Sequence, residues 1–143
     1  MTEILFVEVT AGSLEFKACE IAERIYARGH RLQLVASGRK QAVSLDELLW
    51  SFRPDSFVPH IFLEGGPGEH CAPVVITTRQ QHISGFDHLL MLECCAPEMA
   101  AQFTRAIHLV VMDNRERLLA SRRYWSQLKE AGFSPRHRKR GFL

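Results

Sequence analysis

Apolar residues recur along this chain with two alternating periods, one of two residues and one of three to four, and the alternation runs through three rounds. Residues 4–9 alternate and are rich in β-formers, which predicts a strand. Leu14, Ala18, Ile21, Ala22 and Ile25 then share one face of a helix over 14–27, with Gly29 placed to stop it. A second strand follows at 32–36. The next helix carries Ala42, Leu45, Leu48 and Leu49 on one side, turns Asp46 and Glu47 outward and ends at Trp50. A short strand at 58–63 and an apolar run at 73–77 close that round. The third consists of a strand at 89–92, a helix at 97–103 with proline in its first turn, and a strand at 108–112. Asp113 or Asn114 then caps a last helix that runs to about Ala131, before Gly132.

Strands and helices in this order predict a three-layer α/β domain with a mostly parallel sheet, over residues 1–133, followed by a basic C-terminal tail at 134–143 that is partly disordered. The layers resemble a nucleotide-binding, Rossmann-like fold, but its phosphate motif is missing. The first strand-to-helix turn, Val9-Thr10-Ala11-Gly12-Ser13, has a single glycine where a dinucleotide site needs three. The glycine-rich stretch at 65–70 lacks the Gly-Lys-Ser/Thr ending that holds phosphate and magnesium, and reads as a surface loop. No cofactor is therefore expected.

The block from Leu45 to His60 departs from this regularity. Arg53-Pro54-Asp55 is a turn signal, and an apolar loop, Phe57-Val58-Pro59-His60, follows it. Trp50 and Phe57 are core residues on one reading. On the other, Pro59 cannot donate to a sheet ladder, so Phe57 and Val58 sit on an edge or loop, where apolar residues mark a docking surface.

With 143 residues the chain forms one domain and is too short to hold a large nucleic-acid cleft of its own. Cys19, Cys71, Cys94 and Cys95 show no CxxC spacing and read as reduced core thiols rather than metal ligands. Cys94-Cys95 falls where a parallel strand ends, the usual place for an α/β nucleophile, which keeps an enzyme as a rival reading. His60, His70, His82, His88 and His108 form no HxxxH pair and are expected to be solvated. The N-terminus carries Glu3 rather than a basic cluster and no apolar run is long enough to span a bilayer, so a cytoplasmic protein is expected.

Charge is distributed unevenly. Residues 1–113 hold nine Lys and Arg against fourteen Asp and Glu, a net of minus five, whereas residues 114–143 hold nine basic against two acidic, a net of plus seven. The last helix and the tail thus form a basic surface suited to an acidic peptide or to nucleic acid. At about 100° per residue, Arg115, Arg122 and Lys129 fall on one side of Leu118, with Trp125 just to the other. Ala120, Tyr124, Leu128 and Ala131 lie beyond Trp125 and are expected to face the sheet, a division that Arg117 and Leu119 fit poorly. An apolar pocket rimmed by arginines suits a peptide that ends in a hydrophobic residue with a free carboxylate; the bland alternative is a solvated basic face.

The run LDELLW followed by FRPDSFVPH resembles the chi subunit family of the bacterial DNA polymerase III holoenzyme. The likeness extends in family order through CEIAERIYARGHR, LQLVAS, a glycine-rich loop leading to APVVI, and an Arg-x-x-Trp helix ending in AGF. It implies a non-catalytic adaptor that links the clamp loader to single-stranded DNA-binding protein during DNA replication. Arg122 and Trp125 match the Arg-x-x-aromatic pair that captures the acidic C-terminal tail of that protein. Leu118 and Ser126 stand at positions that are basic in the family, so Arg115, Arg123 or Lys129 would supply the missing charge. Trp50, Phe57, Val58, Pro59 and His60 match the surface that takes the psi subunit or, in some cases, a helicase. The resemblance implies mostly indirect contact with DNA and none with membranes. The basic run Arg136-His137-Arg138-Lys139-Arg140 is expected to add contacts to the acidic tail or to DNA itself, salt-dependent in either case, which keeps direct nucleic-acid binding as an alternative.

Overall fold

The computed structural model describes residues 2–64 and 72–139, so the glycine-rich loop at 65–70, Cys71 and Arg140 lie outside the described residues. In chain order the elements are β1 (Glu3–Val9), a 3-10 turn (Ala11–Ser13), α1 (Leu14–Ala27), β2 (Leu32–Val35), α2 (Arg39–Ser51), β3 (His60–Phe62) and β4 (Val74–Thr77). There follow β5 (His88–Met91), α3 (Pro97–Ala100), β6 (Arg105–Val111), α4 (Arg115–Glu130) and β7 (Arg136–Arg138). The strands form a seven-stranded sheet in the order β3-β4-β2-β5-β6-β1-β7, and every pairing in it is parallel. This is not the 3-2-1-4-5-6 order of dinucleotide-binding folds, so the likeness is one of layers, not of strand order.

Because side chains alternate across a strand, neighbouring residues feed two cores. Leu5, Val7, Leu34, Ile76, Leu90 and Ile107 pack with Ile21 and Leu45 beneath α1 and α2. Phe6, Val75, Leu89, Met91 and Val110 pack on the opposite face with Tyr124 and Leu128 of α4. Where no helix covers that second face, Ile83, Phe86 and Phe103 do. Gln33, wholly buried on β2, fastens this cover: its amide donates to the Gln81 carbonyl at 2.8 Å and its side-chain oxygen accepts the Ile83 N–H at 3.0 Å.

Two elements differ from expectation. The helix expected at 97–103 stops at Ala100, and β6 begins at Arg105 rather than near 108. Thr104 and Arg105 both donate their backbone N–H to the Asp87 carbonyl, and Arg105 Nε meets the Glu3 carboxylate at 2.5 Å, so the sheet claims this segment before a longer helix can form. The second difference is in the tail, where residues 136–138 form an edge strand beside Leu5–Val7 of β1. The end of α4 directs the chain there. Gly132 takes a φ of 95°, its N–H bonds to the Lys129 carbonyl, and the Phe133 N–H reaches back to Leu128 at 3.0 Å, which is a Schellman turn.

Leu45 is fully buried between α2 and the sheet, whereas Leu119 is exposed on α4. Urea unfolding of Leu45→Ala is expected to show a loss of about 2–5 kcal/mol, and that of Leu119→Ala a change of no more than about 0.5 kcal/mol.

Candidate functional site

Helix α4 is set by aromatic packing from β1. The Phe6 ring meets Trp125 edge-on at 5.1 Å, stacks on Tyr124 at 5.9 Å and touches the His108 ring at 4.8 Å. Asn114 starts the helix by accepting the Arg117 N–H on its side-chain oxygen at 3.0 Å. In the resulting orientation Ser121, Tyr124 and Leu128 are buried, Leu118 and Trp125 are half-buried, and Arg115, Arg122, Arg123 and Lys129 are exposed. Ala131, expected against the sheet, is exposed and Ala120 only partly covered, because the buried arc centres on Leu128 and takes in Ser121 instead.

Between α4 and the β1–β7 edge lies a groove of about 520 Å³, floored by Phe6 and Glu8 and walled by Leu118, Arg122 and Trp125, with His137 of β7 opposite. Arg122, Trp125 and Leu118, singled out from the sequence, are thus brought together. Arg115, Arg123 and Lys129 lie on the solvent side of the helix and do not line the groove, whereas Ser126 does. The Glu8 carboxylate in the groove lies 2.5 Å from His137 Nε2. Sequence reasoning missed Phe6 and Glu8 as groove residues and reached His137 only as part of the basic run. Only a sheet register that sets Phe6 beside His137 shows that they belong to it.

The block at 45–60 forms a separate surface. Trp50 and Phe57 are 58% and 62% exposed with ring centroids 5.6 Å apart, and Ile61 on the edge strand β3 is exposed beside them in sequence. The turn that presents them is pinned to α1: Arg53 reaches Glu20 and Glu23 at 2.7 Å each, and Ser56 donates to Glu23. Val58 and His60 must be corrected as surface residues. Val58 is 1% exposed and belongs to the core under α2, and the His60 side chain is fully covered. Its ring lies 4.8 Å from Trp50 and bridges the Val58 carbonyl and Asp46, so it supports the patch from beneath. Pro59 is half-buried at the edge.

The profile of the family described as DNA polymerase III chi subunit, HolC, matches residues 1–136. The chain is 34% identical over 123 residues to the DNA polymerase III subunit chi of Escherichia coli, covering 85% of this chain and 82% of that one. The chain belongs to the DNA polymerase III chi subunit family. The subunit chi of Haemophilus influenzae is 29% identical over 85% of this chain and 84% of its own, and that of Pseudomonas aeruginosa 33% identical over 66% and 64%.

In this chi-family chain Cys19, Cys95 and several histidines are buried, and Cys94 is partly covered. Burial pushes Cys95 up to about 12 and raises Cys94, with Cys94 and Glu93 adding to the effect on Cys95 and Glu93 to that on Cys94; an activated nucleophile needs the opposite shift. Cys19 and Cys95 are buried and free, as expected of core thiols. The expectation of solvated histidines fails at His60, His88 and His108, since strand starts and strand interiors in a two-sided sheet are covered by helices and loops. His108 bonds through Nε2 to Ser121 Oγ at 2.8 Å, and its Nδ1 has no hydrogen-bond partner among the described residues. No described helix is long and apolar enough to cross a membrane.

Burial, assisted by Arg117, depresses His108 from 6.5 to about 4. The unfolded chain therefore binds the proton first, and the stability contributed by neutral His108 is present above about 6.5 and lost as pH falls toward 4. Urea midpoints measured between pH 7 and 4 are expected to fall less steeply in His108→Gln than in wild type, by on the order of 3 kcal/mol at most over the window.

Proposed function

We propose that this chain is the chi subunit of DNA polymerase III and acts as a non-catalytic adaptor, holding the acidic C-terminal tail of single-stranded DNA-binding protein in the α4 groove. The observation that carries this reading is that Leu118, Arg122 and Trp125 converge on one groove. Half-buried Leu118 and Trp125 over Phe6 offer an apolar seat for a hydrophobic terminal residue. The exposed Arg122 guanidinium at its wall suits a terminal carboxylate, which it can meet with two parallel hydrogen bonds. Arg123, Lys129, Arg136 and Arg138 are exposed on α4 and β7, where they meet the remaining acidic charge and compensate for Leu118 and Ser126 at family basic positions.

A second docking surface completes the adaptor. Two large aromatic side chains that stay more than half exposed, in contact with each other, fit anchors for a protein partner. In this reading Trp50, Phe57, Pro59 and Ile61 take the psi subunit of the clamp loader complex or a helicase, with Val58 and His60 in support.

The test is binding of a fluorescent acidic peptide ending in Ile-Pro-Phe with a free carboxylate. Arg122→Ala and Trp125→Ala are each expected to weaken it by about tenfold or more, Trp50→Ala to leave it unchanged, and added salt to weaken it throughout. Wild-type affinity in both α4 variants, or no binding at low salt, would overturn the reading and favour direct nucleic-acid binding by the basic helix and β7.

A further inference from the structure

His30 meets Asp87 and His88, a pair far from it in sequence, at the start of two adjacent strands. Leu32 of β2 is in register with His88 of β5, which places His30, just ahead of β2, beside Asp87 and His88. The Asp87 carboxylate lies between the two imidazoles, with Oδ2 3.3 Å from His30 Nδ1 and Oδ1 3.1 Å from His88 Nδ1. The rings stack at 4.4 Å and 27°, so both turn the same edge toward that carboxylate. One ligand atom from each residue lies within 4.8 Å of the other two. The backbone holds them there: the Arg31 N–H donates to Asp87 Oδ1 at 3.0 Å, the Arg31 carbonyl accepts the N–H groups of Asp87 and His88, and the His30 N–H is bonded to Ile25.

We propose that His30, Asp87 and His88 bind one first-row divalent cation of the zinc or cobalt type through two imidazole nitrogens and a carboxylate oxygen. Two histidines and one carboxylate are a donor set that suits these ions and rejects calcium and magnesium, which prefer all-oxygen shells. Nearby cationic groups are engaged elsewhere: the Arg31 guanidinium lies over the Phe86 ring at 4.3 Å, and Arg105 is paired with Glu3. His30 and Asp87 are partly exposed, which gives the ion an entry path and leaves its remaining positions to water. Bound there, the ion ties the turn after α1 to the start of β5.

Metal-free full-length protein is titrated with Co²⁺, whose visible absorption separates nitrogen and oxygen ligation from thiolate ligation, and its thermal midpoint is followed in parallel. One equivalent is expected to bind without a thiolate band and to raise the midpoint, with Zn²⁺ displacing it. Both effects are expected to vanish in His30→Ala and Asp87→Asn and to persist in Cys94→Ser. His30 is partly exposed, so its removal leaves the core intact, and an unchanged circular dichroism spectrum checks this. No saturable binding up to millimolar Co²⁺, equal binding in both site variants, or binding lost in Cys94→Ser would overturn the proposal.

Discussion

A fully parallel sheet has no face that can be left to water, because its strands are joined by crossovers that lie on both sides. That constraint accounts for the arrangement of this molecule. Strands β2, β4 and β5 are buried along their whole length, so both faces must be covered. On one face α1 and α2 do so completely. The other face is short of helix, since α3 is a single turn, and loops pinned by Gln33 cover the centre while α4 covers β6 and β1. With β7 added outside β1, the sheet extends past the helix, and the strip between them becomes the α4 groove.

The same topology separates the two candidate docking surfaces. The Trp50 and Phe57 patch borders β3 at one edge of the sheet, and the groove borders β1 and β7 at the other. Five strand spacings between β3 and β1 amount to roughly 24 Å. A stiff hydrogen-bonded sheet lies between the two surfaces, which supports an adaptor whose partners are held apart rather than in competition. Each surface is also supported beneath by an aromatic contact, Phe6 under Trp125 and His60 under Trp50.

Much of this was legible in the sequence wherever burial imposes a period. Helix α1 was expected over 14–27, as found, and the apolar runs of β2, β4 and β5 were expected within a residue or so. β7 was not legible, because Arg136-His137-Arg138 is exposed at every position and an edge strand of charged residues carries no hydrophobic signal. The strand order was not legible either, since local pattern says nothing of which strands pair. Helical spacing brought Trp125, Arg122 and Leu118 together and the family resemblance singled out Arg122 and Trp125, but Phe6 and Glu8 required the register of β1 against β7. Val58 misled because a proline next to an apolar residue points to an edge or loop, and Val58 does lie in the coil just ahead of edge strand β3, yet it turns inward into the core under α2.

The central claim is that the α4 groove, and not the β3 edge, receives the acidic tail. It is tested most directly by mapping amide chemical-shift changes in isotopically labelled protein as the peptide is added. The account predicts that the largest changes gather at Leu118, Arg122, Trp125, Ser126, Phe6 and His137, with Trp50, Phe57 and Ile61 unmoved. Changes centred on Trp50 and Phe57, or spread along the basic residues without involving Phe6 and Trp125, would contradict it.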